Sequence, residues 1–220
     1  MKKPANSPKT LISYGKQFYD RRWMWGTSGN ISVRLKDKPL SIAITASGMN
    51  KGHLQTKDLL AITDGKPVRA AKGLIPSSET LIHQALYRAM PDVSAVFHVH
   101  PMYATLISKF YGHPTEPRYL KVEWMEVLKG VNVNEDEIAE FVILPNWQDV
   151  SLIARDITEY LKSAAKPLPA VLIYNHGLTG WGATPDQARN YLEIMEYVCQ
   201  YLYLKTAANQ DFGRPEHRLS

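Results

Sequence analysis

Apolar residues follow two alternating spacings along the chain, one typical of strands and one typical of helices. Short runs rich in valine, isoleucine and alanine predict buried strands. Between these runs, apolar positions recur at helical spacing. The predicted strands are 31–35, 40–48, 93–100, 141–146 and 170–177, and the predicted helices are 11–23, 77–90, 101–110, 147–162 and a segment from 185 onward, with a further short helix at 122–130. This alternation predicts a layered α/β architecture.

Local signals mark where two of the helices begin. Ser77 and Ser78 precede Glu79, and serine is a good N-cap while glutamate complements the positive end of a helix. Before the last helix, Thr184 is the predicted cap and Gln187 completes a capping box. The glycine-rich segment 176–182 is interpreted as a turn that ends the last predicted strand.

Length and composition are those of an ordinary globular chain. With 220 residues, 45% of them hydrophobic and 21% charged, we expect one domain over 1–220, with flexible termini at 1–7 and 206–220. A single cysteine, Cys199, lies in an apolar helical segment, so we interpret it as a buried packing residue in a reducing compartment. We expect a cytoplasmic protein, since neither a signal peptide nor a membrane span is recognisable.

The net charge of +5 raises the question of nucleic-acid binding. The basic residues are dispersed, whereas a nucleic-acid surface usually shows a clustered basic stripe with interleaved aromatics. A mildly basic balance suits a small phosphorylated substrate equally well. We therefore expect neither nucleic acid nor membrane as a partner.

The segment HVH places His98 and His100 at the end of a predicted strand. Side chains alternate faces along a strand, so both imidazoles point to the same side, with Cα atoms roughly 6.6 Å apart. Both can therefore reach one metal ion at about 2.0–2.1 Å. Such a pair in isolation is more often simply hydrogen-bonded at a strand end.

A third histidine strengthens the metal hypothesis. His176 also follows an apolar strand, and Gly177 leaves space beside it. Three histidines with an open fourth position are typical of a catalytic zinc site, and we expect one zinc ion per subunit. His83 lies one helical turn after Glu79 on the same helix face, where it could support the site from behind, but a core or surface role is its favoured interpretation.

Three short segments share small hydroxyls and free backbone N–H groups: GTSGN at 26–30, TASG at 45–48 and PSSE at 76–79. Each separately reads as a turn or a cap, but together they could surround a phosphate group, with the helix that begins after Pro76 adding partial positive charge. Glu79 and Glu126 are the candidate acid/base residues, and the sequence pattern itself does not separate Glu126 from Glu123.

In this order, the motifs GTSGN, TASG, SSE, HVH and NHG resemble the class II aldolase/adducin family over about residues 8–205. The resemblance implies a single three-layer αβα domain with a central mixed sheet, and a homotetramer with active sites between neighbours. It also implies a divalent metal and a bound phosphate. The implied metal ligands are His98, His100 and His176, and the implied phosphate-binding residues are Gly29, Asn30, Ser47, Gly48, Ser77 and Ser78.

Four longer segments, WGTSGN, TASGMNKGHL, EVLKG and HGLTGWG, resemble the branch of that family that dehydrates 5-methylthioribulose 1-phosphate in methionine salvage. In that branch Glu126 looks like the acid/base, whereas in the aldolases the residue matching Glu79 has that role. The expected product is 2,3-diketo-5-methylthiopentyl 1-phosphate. Alternatives are a sugar-phosphate aldolase, a pentulose-phosphate 4-epimerase, or a non-catalytic adducin-like module.

Overall fold

The computed structural model describes residues 7–69 and 73–212. The strands in these residues are β1 Asn30–Lys36, β2 Ser41–Thr45, β3 Leu59–Thr63, β4 Lys66–Arg69, β5 Ala95–Val99, β6 Arg118–Val122, β7 Ala139–Leu144, β8 Ala170–Ile173 and β9 Gly177–Gly182. They form one nine-stranded mixed sheet in the order β4-β3-β2-β1-β5-β9-β8-β7-β6, where β7 and β8 are parallel and the other pairs are antiparallel.

Helices cover both faces of this sheet. They are α1 Thr10–Asp20, α2 Thr80–Ala89, α3 Met102–Tyr111, α4 Val150–Ser163 and α5 Pro185–Phe212. Helices α1, α3 and α5 bury side chains in one apolar cluster, and α2 and α4 bury theirs in another. The expected αβα layering is therefore confirmed. Because β5 is covered on both faces, all of its residues are buried, which explains its nearly continuous apolar run.

The interpretation of the segment 176–182 as a turn is wrong. Most of this segment forms the buried strand β9, which lies between β5 and β8. Its glycines allow helix α5 to approach the strand closely. A Cβ at Gly180 would lie 2.7 Å from the Leu192 side chain, and one at Gly182 would lie 2.6 Å from the backbone nitrogen of Ala188. Glycine in a strand interior is typical of such close approaches.

Strands β3, β4 and β6 were not predicted from the sequence. Asp64 and Gly65 connect β3 to β4 with φ angles of 47° and 83°, the positive values that a tight hairpin turn requires. Strand β6 is mostly exposed, so it lacks the apolar alternation that would reveal it. The helix predicted over 122–130 is only a short 3₁₀ helix, Glu126–Val131.

The ends of the chain are partly described. Helix α5 continues through Phe212, while residues 1–6 and 213–220 lie outside the described residues, so the expectation of flexible termini stays a prediction. The start of α5 agrees with the capping box, since Gln187 donates its backbone N–H to Thr184 Oγ1 at 3.1 Å. Among the residues described, no helix has the length and apolar character needed to cross a bilayer.

Candidate metal centre

The structure brings His98, His100 and His176 together at one end of strands β5 and β9. His98 lies in β5, His100 follows that strand directly, and His176 directly precedes β9. Strand β9 pairs with β5 in an antiparallel ladder, and this pairing brings His176 to the other two. The apolar strand before His176 is β8, which does not neighbour β5, because β9 lies between them.

The three imidazole rings surround a common centre. Each pair of ring centroids is 4.8 Å apart, with interplanar angles of 70–80°. The ligand atoms lie within 4.8 Å of one another, and His98 Nε2 is 2.8 Å from His100 Nε2. Tetrahedral bonds of about 2.0–2.1 Å would hold such nitrogens about 3.3 Å apart. The donor set therefore fits a divalent metal ion after small shifts.

Burial keeps these imidazoles neutral. It lowers the pKa of His98 well below its usual value, and the neighbouring His100 and His176 lower it further. Burial likewise lowers the pKa of His100 to about 4. The pKa of His176 is also lowered by burial, although nearby Glu79 opposes the shift. Neutral imidazole is the form that binds metal, so the site is in its ligating state at neutral pH.

A hydroxyl group orients the most buried of the three rings. His98 Nδ1 lies 2.9 Å from Oγ1 of Thr179 in β9. For Nε2 of His98 to carry a free lone pair toward the centre, Nδ1 must carry the proton and donate it to that hydroxyl. Such an outer partner is typical of metal-ligating histidines, because it selects the tautomer and the ring orientation.

Glu79 brings a carboxylate to the same centre. Its Oε1 lies 3.3 Å from His98 Nε2 and 3.4 Å from His176 Nε2. Its other oxygen, Oε2, accepts a hydrogen bond from the side-chain amide of Asn30. Glu79 directly precedes α2, so the helix start that the serines signal also aims this carboxylate. Its side chain is only 16% exposed.

The three glycine and serine segments lie beside Glu79. An isolated bridge pairs Ala46 with Pro76, and the backbone N–H of Ser47 donates to Ile75 at 3.0 Å. Asn30 joins this group through its bond to Glu79. The six predicted phosphate residues thus lie on adjacent segments. They are Gly29, Asn30, Ser47, Gly48, Ser77 and Ser78.

Asn30 and Gly29, two of these six residues, already have structural roles of their own. The Asn30 amide is already engaged at both ends, by Glu79 and by His83, and its side chain is buried. Gly29 has a φ of 75°, and a Cβ there would lie 2.9 Å from the backbone oxygen of His98. Gly29 therefore lets its loop pass close to strand β5, an approach that a larger residue would disturb.

Comparisons with known proteins agree with this arrangement. A family profile described as "Class II Aldolase and Adducin N-terminal domain" matches residues 9–203. The chain belongs to the class II aldolase and adducin family.

Curated members of the family resemble this one over most of its length. The methylthioribulose-1-phosphate dehydratase of Microcystis aeruginosa is 36% identical, with 88% of this chain and 93% of that protein covered. A probable bifunctional methylthioribose-1-phosphate isomerase/methylthioribulose-1-phosphate dehydratase of Nocardia farcinica is 38% identical over 95% of this chain, which spans only 37% of that longer protein. Among solved structures, L-fuculose 1-phosphate aldolase superposes with a TM-score of 0.75 at 25% identity, covering 98% of this chain and 92% of that one.

The second candidate acid/base of this class II aldolase family member lies elsewhere. Glu126 begins the 3₁₀ helix Glu126–Val131, and its side chain is 75% exposed. Its carboxylate contacts Lys129 Nζ at 3.0 Å. Among the described residues no contact joins Glu126 to the histidines. Within one chain, Glu79 rather than Glu126 is therefore the carboxylate beside the histidine cluster.

Sequence reasoning missed Lys51, a buried cation near the site. Its ammonium donates to the backbone oxygens of Thr27 at 2.7 Å and Met49 at 2.8 Å, and so ties the segment GTSGN to the residue that follows TASG. Burial lowers its pKa to about 8, while Glu79 opposes the shift. Its position within TASGMNKGHL was the available signal, but an isolated lysine usually indicates a solvated surface.

Glu196 was also missed, because it lies in the middle of α5, far along the chain from the motifs. Its carboxylate accepts hydrogen bonds from the backbone N–H groups of Tyr103 at 3.1 Å and Ala104 at 2.8 Å. These groups lie in the first turn of α3, directly after His100 and Pro101. In the same turn, Thr105 Oγ1 lies 3.1 Å from the backbone oxygen of His176. Glu196 thus anchors the first turn of α3, which follows His100 in the chain and contacts the backbone of His176.

This carboxylate gives a prediction for the pH dependence of stability. Burial raises the pKa of Glu196 from 4.5 to about 7, although the two backbone hydrogen bonds oppose the shift. The folded state therefore holds the proton more tightly than the unfolded state does. The stabilisation from Glu196 is fully present below about pH 4.5 and is lost as the pH rises to about 7, a change of about 3 kcal/mol at most.

The measurement is urea unfolding of the wild type and of Glu196→Gln between pH 4.5 and 8. We expect the free energy of unfolding of the wild type, relative to the variant, to fall as the pH rises through this window. Taking the difference removes the contributions of all other titrating groups that the two proteins share. A difference that stayed constant with pH would show that Glu196 titrates normally.

Proposed function

We propose that this protein is a zinc-dependent dehydratase that converts 5-methylthioribulose 1-phosphate to 2,3-diketo-5-methylthiopentyl 1-phosphate, a step of methionine salvage. The observation that carries the proposal is the cluster of three neutral histidines with a carboxylate beside it. Next to that carboxylate lie the three glycine and serine segments that would surround a phosphate group. The dehydratase names of two similar curated proteins support the same substrate. The single buried cysteine suits a reducing compartment, and we place the reaction in the cytoplasm.

His98, His100 and His176 would each hold the metal ion through one ring nitrogen. Three imidazoles and an open position suit zinc, and the bound ion would supply Lewis-acid activation of the keto group of the sugar. Thr179 would hold His98 in the ligating tautomer. The partly buried setting of Glu79 and the histidines would limit the access of water to a bound substrate.

The loss of water requires two proton transfers. A carboxylate removes the proton from C3, and the electron pair of that C–H bond forms a C3–C4 double bond as the C4 hydroxyl leaves. The carboxylic acid formed in this way then donates a proton to the departing hydroxyl, so that one water molecule is released. The resulting enol then tautomerises to the 2,3-diketone.

We assign the two glutamates different parts in these transfers. Glu79, fixed by Asn30 against the histidines, would orient the metal ligands and the substrate. Glu126 would be the acid/base, as the family resemblance implies. Because Glu126 is 75% exposed and lies apart from the histidines of its own chain, it would act at the site of a neighbouring subunit in a homotetramer.

The phosphate hypothesis predicts a selective effect of one serine. Replacing Ser77 by alanine removes a hydroxyl from the helix start beside Glu79, and a hydrogen bond to a charged group contributes about 1.5–3 kcal/mol. We therefore expect Ser77→Ala to raise KM by roughly ten- to one-hundred-fold with a small change in kcat. Steady-state kinetics measures both constants.

Ser163 offers the matched control, because it is an exposed serine at the last position of α4 with no contact to the histidines or Glu79 among the described residues, and Ser163→Ala should leave KM unchanged. The dephosphorylated sugar should be a poor substrate for the wild type. Equal turnover of the sugar with and without phosphate would remove the phosphate-binding assignment.

The experiment that tests the proposed function is product identification by mass spectrometry after incubation with 5-methylthioribulose 1-phosphate. Dehydration gives one diketone that is lighter by one water, an aldolase gives two fragments, and a 4-epimerase gives an isomer of equal mass. The aldolase alternative is the one favoured by a specific observation, the structural similarity to L-fuculose 1-phosphate aldolase. An unchanged substrate in the presence of bound zinc would favour a non-catalytic module.

A further inference from the structure

A continuous buried chain of hydrogen bonds leads from Tyr87 to Glu79. The hydroxyl of Tyr87 lies 2.8 Å from Ser32 Oγ, and Ser32 Oγ lies 2.7 Å from His83 Nδ1. On the other side of the ring, His83 Nε2 lies 2.6 Å from Asn30 Oδ1, and the Asn30 amide nitrogen donates to Glu79. Tyr87, Ser32, His83 and Asn30 are all buried.

Two secondary-structure elements supply this chain by their own periodicity. Glu79, His83 and Tyr87 are spaced at four-residue intervals at the start of and along α2, so they share one helix face. Asn30 and Ser32 are two residues apart in β1, so they point to one side of the sheet. The helix face packs against that side, and the residues of the two elements alternate along the chain of bonds.

The chemistry of each group determines the direction of every bond. A carboxylate can only accept, so the Asn30 amide nitrogen donates to Glu79 and the Asn30 oxygen faces His83. That oxygen can only accept, so His83 Nε2 carries the proton. His83 Nδ1 then accepts from Ser32, whose 2.7 Å contact to it is much shorter than its 3.5 Å contact to the backbone oxygen of Val96.

The last bond follows in the same way. Since Ser32 donates its only proton to His83, it accepts one from the hydroxyl of Tyr87. Every donor in the chain therefore points toward Glu79. Burial also lowers the pKa of His83 to about 3, which keeps the ring neutral with one proton and one lone pair.

We propose that His83 is a positioning residue, which, through this one-way chain of hydrogen bonds, holds the amide of Asn30 with its nitrogen toward Glu79 and so fixes the Glu79 carboxylate beside the histidine cluster. The inference rests on the proposed function for the role of that carboxylate in turnover. Without a donor at His83 Nε2, the Asn30 amide can rotate and place its oxygen against the carboxylate, which repels Glu79 from its position.

Paired substitutions at residue 83 test the proposal. His83→Leu fills the space but offers neither donor nor acceptor, whereas His83→Gln offers both. We expect His83→Leu to lower kcat by about tenfold, which corresponds to about 1.4 kcal/mol, with KM changed less than about twofold. His83→Gln should recover most of kcat. Ser32→Ala removes the donor to Nδ1 and should have a smaller effect of the same kind.

A double-mutant cycle separates this role from general destabilisation. If His83 acts through Glu79, His83→Leu should have no further effect on kcat in a Glu79→Gln background. Multiplicative effects of the two substitutions, or a His83→Gln variant as slow as His83→Leu with normal thermal stability, would overturn the proposal.

A measurement without substrate keeps the inference testable if turnover fails or a variant does not fold. In wild-type protein labelled with ¹⁵N in its histidine rings, the His83 resonances should show the tautomer with the proton on Nε2, in slow exchange with solvent. A proton on Nδ1 would reverse the chain and overturn the proposal. Absence of the diketone product together with the Nε2 tautomer would instead count against the proposed reaction alone.

Discussion

Replacing His98 by alanine is expected to remove the bound divalent metal and to lower kcat/KM by at least about 10³-fold, with the fold retained. A metal held by three imidazoles loses a third of its protein ligands, and Lewis-acid activation contributes several kcal/mol to such reactions. The sheet should survive because β5 stays paired with β1 and β9 through its backbone. Mass spectrometry measures the metal content, steady-state kinetics measures kcat/KM, and circular dichroism reports whether the fold is retained. His176→Ala should behave alike.

His53 offers the matched control, because it is an exposed histidine in a short 3₁₀ helix. His53→Ala should keep both metal and activity. A His98→Ala or His176→Ala protein with full zinc content and full turnover would show that these histidines are not the ligands. Zinc lost from the His53 variant as well would indicate adventitious surface binding.

Replacing Glu126 by glutamine is expected to lower kcat by at least about 10²-fold, the lower range for general acid–base catalysis. The amide keeps the size of the side chain but cannot take up a proton. Glu79→Gln should cost less, since we assign it an orienting role. With metal retained in both variants, the reverse ranking would move the acid/base role to Glu79 and would favour aldolase-like chemistry.

Mixing subunits tests whether Glu126 acts on a neighbour. His98→Ala and Glu126→Gln chains are each expected to be inactive alone. If the site combines the histidines of one chain with Glu126 of another, hybrids of the two variants regain part of the wild-type rate, because one intact site forms. Hybrids verified by native mass spectrometry that stayed inactive would place Glu126 in the site of its own chain, or outside catalysis.

Local patterns in the sequence were sufficient for several parts of the site. Strand alternation placed His98 and His100 on one side, and the structure brings their Nε2 atoms within 2.8 Å. The serines before Glu79 indicated a helix start, which aims that carboxylate at the histidines. The layered α/β fold also followed from the alternation of strand and helix spacings. In each case the information lies within a few neighbouring residues.

Other features depend on residues that are distant along the chain, and only the tertiary structure decided them. Strand β9 was missed because its glycines carry no apolar pattern, and it is a strand since β5, β8 and α5 surround it. The partners of His83 and Glu196 lie more than 50 residues away. A buried polar residue needs a specific partner, but nothing in its own segment identifies which one. Side-chain periodicity is local, whereas strand order and buried hydrogen bonds arise only when the elements pack.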